Sequence, residues 1–139
     1  MARSVQELEH AYNLVGGDDK RLPYMPFQPA DFVAILFECM AETDGVDFLD
    51  VGCGPGTKLA LARELFGLDA YGIDIDQDMV TFARSNGEHA YRTDALECPD
   101  YDSYDIIWMY RPFRDRELQD RLEKKIFAEM KPGAILAGG

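Results

Sequence analysis

Asp50-Val51-Gly52-Cys53-Gly54-Pro55-Gly56-Thr57 is the stretch on which the fold turns. It places three glycines in five residues between a short apolar run, Val46 to Val51, and a helix-forming run, Thr57 to Phe66. Glycine permits backbone conformations and close approaches that a Cβ forbids. A ligand can then lie against the main chain and the N-terminus of the following helix. A tight turn would use the same glycines, but the strand before and the helix after favour a ligand seat.

Outward from this loop the chain alternates between strand and helix. The spacing predicts strands at Val46 to Val51, Ala70 to Ile73, Ala90 to Arg92, Ile106 to Tyr110 and Ala134 to Ala137. Helices are expected at Thr57 to Phe66, with Leu59, Ala62 and Leu65 on one side, and at Gln77 to Arg84. Another is expected at Glu117 to Met130, with Leu118, Leu122, Ile126, Phe127 and Met130 facing inward. Upstream, Val5, Leu8, Tyr12 and Val15 predict a helix that Gly16-Gly17 ends. Residues 16–29 read as a loop broken by Pro23, Pro26 and Pro29. A further helix begins near Asp31, its apolar stripe Phe32, Ile35, Leu36, Cys39 and Met40. This order predicts an α/β fold: a doubly wound, mainly parallel sheet of about five strands, helices on both faces. Such sheets bind ligands beyond the carboxyl ends of their strands.

The 139 residues suit one domain, with N-terminal helices and loop over 1–45 and a βα core over 46–139. No apolar run reaches the roughly 18–20 residues of a membrane-spanning helix. The start of the chain has no apolar core of the signal-peptide kind. Cys39, Cys53 and Cys98 are too few and too scattered for a disulfide scaffold or a zinc site, so no metal is expected and the cytoplasm is the simplest compartment. The chain carries 14 basic and 26 acidic residues, net −12. Residues 46–110 alone hold 4 basic and 13 acidic groups, whereas 111–139 hold 7 and 5. That acidity repels a phosphate backbone and favours a neutral or cationic small molecule over nucleic acid. Glu117–Arg121 and Asp120–Lys124 are spaced for surface ion pairs.

Three kinds of nucleotide loop compete at residues 52–58. A phosphate-binding loop ending in Gly-Lys-Ser/Thr fails, because Thr57 precedes Lys58 where a glycine is required. The dinucleotide pattern GxGxxG fails because residue 57 is Thr57. The spacing present is GxGxG. With its flanks Phe48-Leu49-Asp50 and Leu59, it resembles the first motif of class I S-adenosylmethionine (SAM)-dependent methyltransferases. Tyr71-Gly72-Ile73-Asp74-Ile75-Asp76 is similar to the family's second strand, Thr93-Asp94-Ala95-Leu96 to its third motif, and Asp105 to Tyr110 to its fourth strand. Lys131-Pro132-Gly133-Ala134 is similar to the turn into the fifth.

The resemblance implies SAM as cofactor, held by Asp50, Gly52, Cys53, Gly54, Gly56, Asp74, Ile75, Asp94 and Ala95. In that reading Asp50 supports the methionine end, Asp74 the ribose hydroxyls and Asp94 the adenine amino group. Asp74 stands 22 residues after Gly52, near the ~20 expected for a ribose acid. Asp94 also suits an ordinary turn, and Asp76 and Asp78 suit a helix start. Cys53 is expected to fill space and not to act as a nucleophile. The acceptor side would follow the fourth strand, where Tyr110 and Arg111 are the candidate catalytic residues. Only Pro112 and Phe113 match the Asn/Asp-Pro-Pro-Tyr/Phe motif of amino-group methyltransferases. His10 and His89 are expected to be structural or exposed.

The expected activity is methyl transfer from SAM to a small-molecule acceptor. The alternatives are a non-catalytic SAM-binding or assembly protein and, less favoured, a nucleotide-sugar or dinucleotide enzyme. The family sheet has seven strands, whereas this sequence reaches Gly138-Gly139 just after the fifth. A fifth strand left as an apolar edge needs a cover or a partner. A self-associating minimal enzyme, a truncated chain and a degenerate cofactor-binding protein all fit. The expectation is a homo-oligomer through that edge, or an edge covered by the N-terminal helices.

Overall fold

The structure is a computed structural model, and it describes residues 28–109 and 113–138. The helix expected from Val5 to Val15, His10, all but the end of the proline-rich loop, and Tyr110, Arg111 and Pro112 lie outside the described residues.

The elements in chain order are α1 (Pro29–Met40), β1 (Asp47–Val51), α2 (Thr57–Phe66), β2 (Asp69–Asp74), α3 (Gln77–Ser85) and β3 (His89–Arg92). Two single 3-10 turns follow, Ala95–Glu97 and Tyr101–Ser103, then β4 (Ile106–Met109), α4 (Arg116–Glu129) and β5 (Ile135–Ala137). All four strand pairings are parallel, in the order β3-β2-β1-β4-β5. The direction of winding reverses between β1 and β4, and ligands of doubly wound sheets bind at such a switch point.

Pro29 opens α1 instead of breaking the chain before it. Proline has no N–H to lose in a helix's first turn, and its fixed φ suits that position. The buried faces of α1, α2 and α3 cover one side of the sheet through Phe32, Leu36, Cys39, Leu59, Ala62, Val80 and Ala83. On the other side Leu122 and Ile126 of α4, with Cys98 and Tyr101, pack on Leu49, Val51, Ile73, Ile107 and Met109.

Three expected core positions are exposed instead: Ile35 at 38%, Leu65 at 58% and Phe127 at 65%. Each lies at the margin of its helical stripe. On α4, Gln119 is buried and Leu118 only half-buried, so the inward face is rotated from the expected one. The i,i+4 ion pair on α4 is Lys125–Glu129 at 2.7 Å, not either of the two expected pairs.

A polar pin ties the lower end of the sheet together. Asp105 accepts from Asp47 N–H at 3.0 Å and pairs with Lys131 Nζ at 2.7 Å. A Cβ on Gly45 would lie 1.9 Å from Asp105 Cγ, so only glycine fits there. β5 forms the outer strand, and Ile135 and Ala137 pack on the side covered by α1.

Candidate functional site

The glycine loop leaves β1 at its carboxyl end and enters α2. Gly52, Gly54 and Gly56 have φ of 81°, 54° and 89°, a conformation that a side chain disfavours. Gly52 N–H and Cys53 N–H both donate to Ile73 O, at 2.8 and 2.9 Å, which ties the loop to β2. Gly72 makes this closeness possible, since a Cβ there would meet Cys53 Cβ at 2.5 Å and Leu59 Cδ1 at 2.8 Å.

Asp74 ends β2 with its carboxylate turned to the loop. One oxygen accepts from Gly54 N–H and the other from Asp76 N–H, both at 2.9 Å. A carboxylate has about four lone-pair sites, and these two backbone bonds take one on each oxygen. Asp76 caps α3, accepting from Asp78 N–H at 2.9 Å and Met79 N–H at 3.2 Å, as its position before a helix suggested. Ile75, between the two aspartates, is 58% exposed beside the same crevice. Asp94 caps the first 3-10 turn, accepting from Leu96 N–H at 3.0 Å, and is half-buried. Tyr101 fixes this turn from below by donating its hydroxyl to Ala95 O at 2.7 Å.

Asp50 is the most buried acid of the site, at 1% exposure. Its Oδ2 has no hydrogen-bond partner, and Lys58 Nζ stands 3.9 Å away as an ion pair. Burial pushes the Asp50 carboxyl above the usual carboxylate range, Lys58 pulls it down and Asp74 pushes it up. Burial, with the charges of Asp50 and Asp74, also holds the Cys53 thiol well above its ordinary value, so it stays protonated.

The sheet thus gathers Asp50, Gly52, Cys53, Gly54, Gly56, Asp74, Ile75, Asp94 and Ala95 at the carboxyl ends of β1, β2 and β3. Two neighbours were not singled out by patterning. Lys58, in the first turn of α2, is 7% exposed, and Trp108 on β4 stands opposite Asp50 in the parallel register. A lysine directly after a glycine loop was a visible signal; the partner of Asp50 across the sheet was not. Among the described residues no cluster of His, Cys, Asp or Glu is arranged to hold a metal ion.

A five-stranded parallel sheet of this order, with a glycine loop at its switch point and acids at the tips of β1 and β2, defines a Rossmann-like methyltransferase fold. A family model described as a methyltransferase domain matches residues 48–133, more than half of the chain, and the chain belongs to that family. It is 37% identical over 81 residues to a protein-L-isoaspartate O-methyltransferase of Thermococcus onnurineus, covering 58% of this chain and 34% of that protein. The chain spans about a third of the length of the curated relatives it matches first. Among solved structures, an RNA methyltransferase from Salinibacter ruber in complex with S-adenosyl-L-homocysteine superposes with a TM-score of 0.68. It is 24% identical and covers 82% of this chain and 76% of that one. A sugar N-methyltransferase from a Streptoalloteichus species gives a TM-score of 0.64 at 17% identity, covering 88% and 57%. Among the described residues no helix is long and apolar enough to cross a membrane.

Proposed function

We propose that this chain binds SAM in the crevice at the carboxyl ends of β1, β2 and β3 and transfers its methyl group to a small-molecule acceptor. The chemistry available from that cofactor is a sulfonium methyl open to in-line displacement. The protein's task is then to bind and align. The observation that carries the reading is the Asp74 carboxylate, braced by Gly54 and Asp76 at 2.9 Å each and set beside the glycine loop. A carboxylate held this way is ready to accept from a ribose diol.

The other residues fit the same ligand. Asp94 and the Ala95 N–H offer an acceptor and a donor to an adenine edge, and Ile75 offers an apolar face. Asp50 Oδ2, which has no hydrogen-bond partner, suits the ammonium of an amino-acid tail. Tyr110 and Arg111 are the proposed acceptor-side residues, since they directly follow β4. The 4 basic and 13 acidic residues over 46–110 support a neutral or cationic small acceptor over a nucleic acid. The names of the relatives span protein, RNA and sugar acceptors, so the acceptor class rests on this charge argument.

Calorimetry with SAM, S-adenosylhomocysteine and NAD tests the cofactor, and labelled SAM with a metabolite extract tests transfer. Asp74→Ala is expected to weaken SAM binding by roughly 1–3 kcal/mol, the loss of a part-buried charged hydrogen-bond acceptor. Unchanged affinity removes Asp74 from the site. SAM binding without transfer to any extract component favours a non-catalytic binding protein.

A further inference from the structure

Two buried polar groups at the switch point lack hydrogen-bond partners. Asp50 Oδ2 on β1 is an acceptor, and Trp108 Nε1 on β4 is a donor. The two residues are direct partners in the parallel register, so their side chains leave the same face of the sheet side by side. They are 1% and 5% exposed. The Trp108 ring is held by Phe32 of α1, edge to face at a centroid distance of 4.8 Å. A buried donor or acceptor without a hydrogen bond costs about 1–3 kcal/mol, so a protein that keeps one of each on adjacent strands at its switch point calls for an explanation.

We infer that Trp108 is a specificity-determining residue for the amino-acid end of the cofactor. Its indole N–H receives the α-carboxylate while Asp50 receives the α-ammonium. This rests on the reading of the crevice as a SAM site. The pairing suits a zwitterion: a carboxylate matches a cation, an indole N–H matches an anion, and the two stand on adjacent strands. Lys58, 3.9 Å from Asp50 Oδ2, opposes the burial that favours the neutral acid. Gly72, the register partner of Asp50 on its other flank, contributes no side chain that could satisfy either group.

The test compares three ligands by calorimetry: SAM, decarboxylated SAM, which keeps the ammonium, and 5′-methylthioadenosine, which has neither group. Trp108→Phe is expected to weaken SAM roughly 10–100-fold and to leave the other two unchanged, the loss of one hydrogen bond to a charged group. Asp50→Asn is expected to weaken SAM and decarboxylated SAM but not methylthioadenosine. Trp108 is the only tryptophan, so wild-type fluorescence reports on it directly. It is expected to shift with SAM and little with methylthioadenosine. An equal loss for all three ligands in Trp108→Phe means a packing role and overturns the inference. Unchanged SAM affinity in that variant overturns it too, with the cofactor reading intact. Failure of the wild type to bind any of the three removes both.

Discussion

Gly72→Ala tests how tightly the glycine loop is seated on β2. The added Cβ would lie 2.5 Å from Cys53 Cβ, 2.7 Å from Cys53 Sγ and 2.8 Å from Leu59 Cδ1. Ordinary carbon contacts are about 3.5–4.0 Å, so the neighbours must retreat by roughly 1 Å. The end of Leu59 can rotate away, but Cys53 Cβ is fixed to the loop backbone. That backbone is bonded to Ile73 O through both Gly52 N–H and Cys53 N–H. Moving it weakens two hydrogen bonds as well as the packing. The overpacking cost is expected at about 1–3 kcal/mol. For a domain of this size that lowers Tm by roughly 3–10 °C. Scanning calorimetry measures the shift, and titration with SAM measures the displaced loop. Adding Cys53→Gly removes the two closest atoms, so the double variant is expected to lose less than the sum of the singles, a coupling of about 1 kcal/mol or more. A Gly72→Ala protein with wild-type Tm and wild-type affinity, or strictly additive singles, would refute the argument that this glycine exists to admit the loop.

Gly45→Ala is expected to destabilise by about 1–3 kcal/mol in urea unfolding, because its Cβ meets the Asp105 carboxylate, which Asp47 N–H and Lys131 hold in place. An unchanged midpoint would mean that Asp105 swings out at no cost. Lys131→Met probes the same pin through pH. The hydrogen bond from Lys131 holds the Asp105 carboxyl below its ordinary value. A depressed acid stabilises the fold above its unfolded pKa, and that contribution is lost as pH falls through the folded one. Lys131→Met is therefore expected to unfold more easily than the wild type at neutral pH, with the gap closing below about pH 4. Denaturant titrations at several pH values check this, and a gap that widens in acid contradicts it.

Much of the architecture was legible along the chain because strand and helix differ in period. Ile106 to Met109 is uniformly apolar, as a strand covered on both faces must be. Asp76, before the periodic run of α3, became its cap. The glycine loop announced itself because left-handed backbone at three alternate positions needs glycine at each. The margins of the stripes were not legible. Ile35, Leu65 and Phe127 have the spacing of core residues, yet whether a marginal position is covered depends on how far the neighbouring sheet extends.

The sequence by itself determined the types of the described elements, the α/β fold and the residues of the glycine loop, since these follow from local periodicity and backbone sterics. Tertiary structure alone decided that Asp50 stands beside Trp108, 58 positions further along the chain, and that neither buried group finds a hydrogen-bond partner. It also decided that Asp74 reaches back to brace Gly54. Strand register brings together residues whose separation along the chain carries no periodic signal, and burial then makes their unmet hydrogen bonds costly.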